Sequence, residues 1–252
     1  MSKYTINLLD ELKPLVERPF AEKFLQTQGL IAKNLHQHWG KSVVAWSGGK
    51  DSTLILYLVR QLDPTVDVVF NNTGVEYPET VRFVHELAAA WNINLIETKP
   101  KKTFWQCAKE YGFPDGTKHG KRRSPSCCYY LKERPMLDEI RTHGWEAVFD
   151  GVTAVESWIR MFNARDKGTC YFNKHWKIQK VHPILYWTEE EVFAFFESEK
   201  IPNNPLYSQG LVRVGCMGCT AYKTWEATMA THNPKLYSII KLRKDSQYTL
   251  KL

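Results

Sequence analysis

No stretch of the 252-residue chain approaches the ~20 consecutive apolar residues that a membrane-spanning helix requires. The N-terminal stretch MSKYTINLLDELKPLVERPF carries acidic side chains and no apolar core of the kind a secretion signal needs. A soluble, cytoplasmic protein with no membrane partner is therefore expected. Internal repeats and low-complexity tracts are absent, which excludes solenoids and biased linkers. Cysteine is sparse, with six residues, and in an intracellular chain of this size they do not suggest a disulfide framework. The adjacent pair Cys127–Cys128 and the Cys-x-x-Cys of Cys216 and Cys219 look like metal ligation instead. Acidic charge is in deficit: the net charge of +7 permits an anionic partner, either nucleotide or nucleic acid, without requiring one.

What is present is enough for a packed core. Hydrophobic residues make up 43% and aromatics 13% of the chain, so disorder is not expected. Spaced leucines and charges between Ile6 and Gln37 predict amphipathic helices. Strands are predicted at Lys41–Trp46, in VDVVFNNTG, in INLIETKP and in WEAVFDGVTA. Helices are predicted at Asp51–Leu62, in YPETVRFVHELAAAWN, in LKERPMLDEIRTHG and in TEEEVFAFFESEKI. The last begins with a capping box, Thr188 with Glu191 three residues on. Alternating strands and helices predict an α/β fold, a parallel twisted sheet with helices on both faces. The expected organisation is a helical segment at 1–40, a nucleotide-binding domain at 41–205 and a C-terminal segment at 206–252 carrying the Cys-x-x-Cys.

The stretch VVAWSGGKDSTLILYLV joins the first predicted strand to its helix. Gly48 and Gly49 let the backbone approach an anion without a Cβ clash, and the helix that follows presents N–H groups and a positive dipole end. Ser47 and Ser52 supply hydroxyls and Lys50 a cation. Phosphate would repel Asp51, so a metal-bridging or helix-capping role suits it, in an exposed turn. A plain strand–turn–helix junction does not need this combination. The spacing is not that of a Walker loop.

SGGKDS resembles the PP-loop of the ATP pyrophosphatases, the adenine nucleotide alpha hydrolase-like superfamily. NTGVEYPET, DGVTAVESWIR and HPILYWTEEEVFAFF…IPNNPLYSQGLVRVGCMGC resemble segments of its phosphoadenosine phosphosulfate reductase-like branch, over roughly 41–220. The resemblance implies a Rossmann-like fold, a nucleotide site at Ser47, Gly48, Gly49, Lys50, Asp51, Ser52, Asn72, Gly151 and Arg160, and catalysis through Lys50 and Asp51. It also implies a [4Fe–4S] cluster on Cys127, Cys128, Cys216 and Cys219, with one zinc ion or four reduced thiols as the alternatives. Lys132 and Arg134 lie near enough in sequence to offset the cluster's charge. A surface ion pair is the alternative for Arg160. Cys107 and Cys170 read as small buried hydrophobes, Cys170 with a sulfur-carrying role as its alternative. His182, before Pro183, reads as structural.

Two departures shape the functional expectation. Reductases of this branch carry a Glu-Cys-Gly-Leu-His tail whose cysteine attacks the sulfate, and the last cysteine here is Cys219. The arginine of the branch's Gly-x-Arg segment is Thr153. With an intact SGGKDS, these imply an ATP pyrophosphatase using ATP and Mg²⁺ to adenylate an acceptor for sulfur transfer. That is the logic of the PP-loop components of Dnd- and Ssp-type DNA phosphorothioation and of tRNA thiolation. A cysteine desulfurase would be the donor partner and nucleic acid the acceptor, held by the basic segment Lys99 to Arg123. The alternatives are a sulfonucleotide (adenylyl- or phosphoadenylyl-sulfate) reductase and a non-catalytic nucleotide-binding subunit. The oligomeric state stays open, a homodimer among the options.

Overall fold

The computed structural model describes residues 8–114 and 126–249. Helices α1 (Lys13–Val16) and α2 (Phe20–Gln37) lead into β1 (Ser42–Ala45), α3 (Lys50–Leu62), β2 (Asp67–Asn71), α4 (Pro78–Ala90), β3 (Leu95–Thr98) and α5 (Phe104–Tyr111). Beyond the gap in description, α6 (Ser126–Cys128) passes through a π-helical stretch, Tyr129–Glu133, into α7 (Arg134–His143). Then come β4 (Ala147–Phe149), a 3-10 turn at Ala154–Glu156, α8 (Trp158–Lys167), β5 (Cys170–Asn173), β6 (Ile178–Val181) and α9 (Glu189–Glu199). The chain closes with α10 (Pro205–Ser208), α11 (Trp225–His232) and α12 (Pro234–Thr249). Among the described residues no helix is long and apolar enough to cross a membrane.

The strands form one six-stranded sheet in the order β3-β2-β1-β4-β6-β5. β1 pairs in parallel with β2 on one side and β4 on the other, and β4 pairs in parallel with β6. This is the α/β, Rossmann-like arrangement expected from alternating strands and helices. The sheet is not wholly parallel, however. β5 and β6 form an antiparallel hairpin at the edge, with Cys170 opposite Val181 and Asn173 opposite Ile178. Strand order reverses between β1 and β4, so the loops following those two strands meet at a topological switch point.

Contacts divide the chain into two units, each assembled from three stretches. The first comprises Met1–Phe70, Phe83–Ile96 and Ile140–Asn204. Apart from Ser42 at the start of β1, strands β1 and β4 are apolar, with Val43, Val44, Ala147, Val148 and Phe149 fully buried. α3 packs on β1, α2 and α9. Thr188 and Glu191 form the expected capping box at the start of α9. Glu191 also receives Lys23 Nζ at 2.5 Å, and Lys23 donates to the Val16 carbonyl at 2.9 Å. A buried lysine is tolerable only with partners of this kind.

The second unit comprises Asn71–Arg82, Glu97–Glu139 and Pro205–Leu252. Tyr77, Leu206, Leu211, Trp225, Met229 and Ile240 form one buried cluster. Phe104, Cys107, Ala108 and Leu131 form another. Cys107 is fully buried there, as expected of a small apolar side chain. Of the basic segment, Lys102 lies against Glu110, Tyr111 and Tyr130. Lys118, Lys121, Arg122 and Arg123 lie outside the described residues.

Candidate functional site

In the first unit the chain leaves β1 at Trp46, whose indole donates to Thr53 Oγ1 at 3.0 Å and anchors the turn on α3. Gly48 has φ of 72°, a left-handed conformation that a residue with a Cβ rarely adopts. Asn204 Nδ2 donates to the Gly48 carbonyl at 3.0 Å and fixes that peptide. Ser52 Oγ lies 3.0 Å from Ser47 Oγ, accepts from Ser47 N at 3.1 Å and donates to the Gly49 carbonyl at 3.0 Å. The loop is thus closed on itself by hydroxyls at the N-terminus of a 13-residue helix. This is the place where N–H groups and the helix dipole favour an anion.

Lys50 and Asp51 open α3. Lys50 Nζ sits 2.8 Å from Asp51 Oδ2 and 3.6 Å from Glu189 Oε1, with its stem buried against neighbours. Asp51 is not in the exposed turn expected from the sequence. It occupies the first helical turn, and its side chain is only 16% exposed, because Lys50 covers it.

The loop after β4 closes on this turn. A Cβ on Gly151 would stand 2.5 Å from the Asp51 carbonyl carbon and 2.6 Å from Ser52 N, so only glycine permits the approach. Asp150, the preceding residue, was not legible as a site residue. Its Oδ1 lies 2.5 Å from His182 Nδ1, and Oδ2 lies 3.9 Å from Lys180 Nζ. Burial pushes the Asp150 carboxyl up, but His182, Lys180 and the Val152 N–H outweigh it and hold the group below the usual carboxylate range. Arg160 pairs with Glu156 one turn back, the ion-pair alternative of the sequence reading. Cys170 is half-buried on β5, where Gln179 Nε2 donates to its sulfur at 2.8 Å. It is not the fully buried hydrophobe expected, because β5 is an edge strand.

The expected cysteine ligands all lie in the second unit. Cys127, Cys128, Cys216 and Cys219 line one cavity with Phe104, Pro114, Leu131 and Lys132. Two local structures deliver them. The π-helical stretch after Cys128 is of the kind that recurs at functional sites. The Cys216 turn is fixed by Met217 N donating to the Val75 carbonyl at 2.7 Å and Cys219 N to the Cys216 carbonyl at 3.1 Å. Gly218 lets this turn lie on the Phe104 ring, which a Cβ would meet at 2.6 Å. Gly218→Ala should therefore destabilise the second unit by about 1–3 kcal/mol, and Phe104→Leu should restore part of the loss. Urea unfolding of the single and double variants checks this; a Gly218→Ala protein as stable as wild type would contradict it.

The thiols are electrostatically uneven. The hydrogen bond between the adjacent pair, then burial, pushes Cys127 up, while Cys128 is pushed down to about 7 as recipient of that bond and neighbour of Lys132. Burial raises Cys216 and Cys219. Lys132 is held positive: burial opposes its charge, but Cys216, Glu76 and Cys128 outweigh that cost. Glu76, which sequence reasoning missed, accepts from Thr73 N at 2.9 Å and takes the Cys216 thiol at 3.6 Å. Asn72, expected at the nucleotide site, lies in this second unit, where it donates to Glu97 at 2.8 Å.

Among the described residues, no group of three or more His, Cys, Asp or Glu side chains is arranged to hold a metal ion. What the site offers is donor chemistry: four cysteines line one cavity with Lys132 beside them, the soft thiolate set that an iron–sulfur cluster would take.

Residues 41–222 match the phosphoadenosine phosphosulfate reductase domain. An uncharacterized protein of Methanocaldococcus jannaschii is 33% identical over 210 residues, covering 81% of this chain. The match spans only 42% of that relative's length. An adenosine 5'-phosphosulfate reductase of Bacillus cereus is 29% identical, covering 73% of this chain and 75% of its own. The crystal structure of phosphoadenylyl-sulfate reductase from Candida auris superposes with a TM-score of 0.59 at 21% identity. It covers 84% of this chain and 98% of that one, a likeness of fold.

Proposed function

Because the chain belongs to the phosphoadenosine phosphosulfate reductase domain family, we propose that it is a sulfonucleotide enzyme that releases sulfite from an adenylyl sulfate. The phosphate end of the nucleotide would lie on the Ser47–Ser52 loop. Cys127, Cys128, Cys216 and Cys219 would hold a [4Fe–4S] cluster, which when bound supplies a polarisable, redox-capable centre. The observation that carries this reading is the gathering of those four thiols, from stretches far apart in sequence, around one cavity with Lys132. The kinship with proteins named adenosine 5'-phosphosulfate reductase supports the same reading.

The loop's role follows from its own groups. Its amides and hydroxyls orient the anion, and Lys50 neutralises it by exchanging Asp51 and Glu189 for phosphate. Lys50→Met should weaken binding of adenosine 5'-phosphosulfate at least tenfold, the size of one charge-assisted hydrogen bond of ~1.5–3 kcal/mol. Calorimetric titration checks this; unchanged affinity would remove the loop from the nucleotide site.

One observation favours a second reading, ATP cleavage for sulfur transfer. Asp51 places a carboxylate beside the anion site, which suits Mg²⁺ bridging to a triphosphate better than it suits a bare sulfonucleotide. In that reading the loop and Mg²⁺ stabilise departing pyrophosphate, a cysteine desulfurase supplies sulfur, and nucleic acid accepts it, as in DNA phosphorothioation. Asp51→Ala should then abolish Mg²⁺-dependent pyrophosphate release with an unchanged fold. Normal release by that variant would end the second reading.

A further inference from the structure

Asp150 and His182 form a buried acid–imidazole pair for which the nucleotide reading gives no role. Three features set it apart from a packing contact. The pair is not needed to join β4 to β6, because the parallel ladder already does so and Asp150 N donates to the Val181 carbonyl at 3.1 Å. Both residues follow the last residues of their strands, at the carboxyl edge where such sheets bind ligands. And Asp150 adjoins Gly151, whose Cα packs directly on the Asp51 and Ser52 backbone.

The geometry around the imidazole is that of an oriented base. Asp150 Oδ1 engages Nδ1 at 2.5 Å, which leaves Nε2 as the ring's other proton-transfer atom. The carboxylate stays ionised, since burial is outweighed by His182, Lys180 and the Val152 N–H. The groups facing the pair are Asp150 at the end of β4, Lys180 on β6 and Tyr171 on β5, whose ring centroid lies 5.6 Å from that of His182. Burial raises the Tyr171 phenol, so Tyr171 stays neutral near pH 7.

We propose that His182 is the proton-transfer residue of the nucleotide site, with Asp150 as its positioning residue. This rests on the sulfonucleotide reading. The co-reactant is a dithiol. As one thiol sulfur attacks the sulfate sulfur, an S–S bond forms and the thiol proton passes to His182 Nε2. The S–O bond to the nucleotide breaks, and its electron pair leaves on the phosphate oxygen. The second thiol then displaces sulfite and closes a disulfide, so that oxidation of the dithiol balances reduction of the sulfur.

The test is sulfite release from adenosine 5'-phosphosulfate by the anaerobically purified full chain with dithiothreitol, followed across pH, alongside calorimetric binding of AMP. Wild-type turnover should rise with pH through one ionisation to a plateau, the profile of a single general base. His182→Gln should lower turnover ~10²–10⁴-fold, the range for a lost general base, and remove that ionisation. Its AMP affinity should stay within about threefold of wild type. Asp150→Asn should lower turnover at least tenfold with AMP affinity unchanged, because the ring loses the carboxylate that positions it at 2.5 Å. Addition of AMP should also shift the His182 ring resonance of ¹³C-histidine-labelled protein. The proposal is overturned if His182→Gln keeps the wild-type profile, or if both variants lose stability while the profile stays put, which is the signature of a structural tie. Wild-type protein that neither binds AMP nor releases sulfite would overturn the nucleotide reading and the proposal with it. Wild-type protein that binds AMP and turns over with no such ionisation would overturn the proposal alone.

Discussion

Gly151→Ala is expected to destabilise the first unit by about 3 kcal/mol and to abolish nucleotide binding in the same step, at the upper end of the cost of overpacking. The new methyl would stand 2.5–2.6 Å from the backbone of Asp51 and Ser52, and backbone at the start of a buried helix cannot swing aside as a side-chain tip can. Something must shift, and what shifts is the loop that presents amides to the anion. The usual gain from Gly→Ala through the unfolded state, about 0.4–1 kcal/mol, is too small to offset this. Gly29→Ala is the internal control. Gly29 lies within α2, with nothing within 4 Å of a Cβ built there, so the same substitution should stabilise by about 0.5–1 kcal/mol. Urea midpoints and AMP titrations of the two variants form the measurement. Equal stability of Gly151→Ala and wild type would mean that the loops after β1 and β4 do not meet as described.

Wild-type protein purified without oxygen should be brown, with absorbance near ~400 nm that bleaches on reduction, and Cys216→Ser should be colourless. Cys216 is the most constrained of the four thiols. Its backbone bridges Glu76, and its sulfur lies 3.6 Å from both Thr73 Oγ1 and Glu76 Oε1. Serine would keep the shape but not the thiolate on which iron depends. Cys107→Ser and Cys170→Ser should stay brown: Cys107 is enclosed among Phe104, Ala108 and Leu131, and the Cys170 sulfur is engaged by Gln179 Nε2 within the β5–β6 ribbon. Iron and acid-labile sulfide content should follow the colour. Wild-type protein holding one zinc per chain and no iron would overturn the cluster.

The parts of this fold that were legible in the sequence are those set by local chemistry. Apolar β-branched runs produced β1 and β2, Thr188 and Glu191 produced the cap of α9, and the glycine pair before Lys50 marked the turn after β1. The β5–β6 hairpin was missed because its two strands are four residues each, half-exposed, and joined by the polar stretch between Asn173 and Ile178. So short an edge ribbon gives almost no alternation to read. The helix expected over LKERPMLDEIRTHG begins with Leu131–Glu133 inside the π-helical stretch Tyr129–Glu133, since nothing in those residues distinguishes an i to i+5 pattern. Asp150 and His182 could not be paired by any spacing rule. They meet because β4 and β6 are adjacent in the sheet, a consequence of the strand order rather than of the residues between them. Asp51 is not exposed, because the Lys50 ammonium pairs with its carboxylate at 2.8 Å, a contact that sequence adjacency does not specify.

The central claim is that this chain acts on the sulfate of an adenylyl nucleotide. The most direct measurement is a product assay on anaerobically purified full chain, with adenosine 5'-phosphosulfate plus dithiothreitol in one tube and ATP plus Mg²⁺ in another. The account predicts sulfite and AMP in the first tube. Pyrophosphate in the second with no sulfite in the first would contradict it in favour of ATP-driven sulfur transfer, and the absence of both products would contradict either form of catalysis.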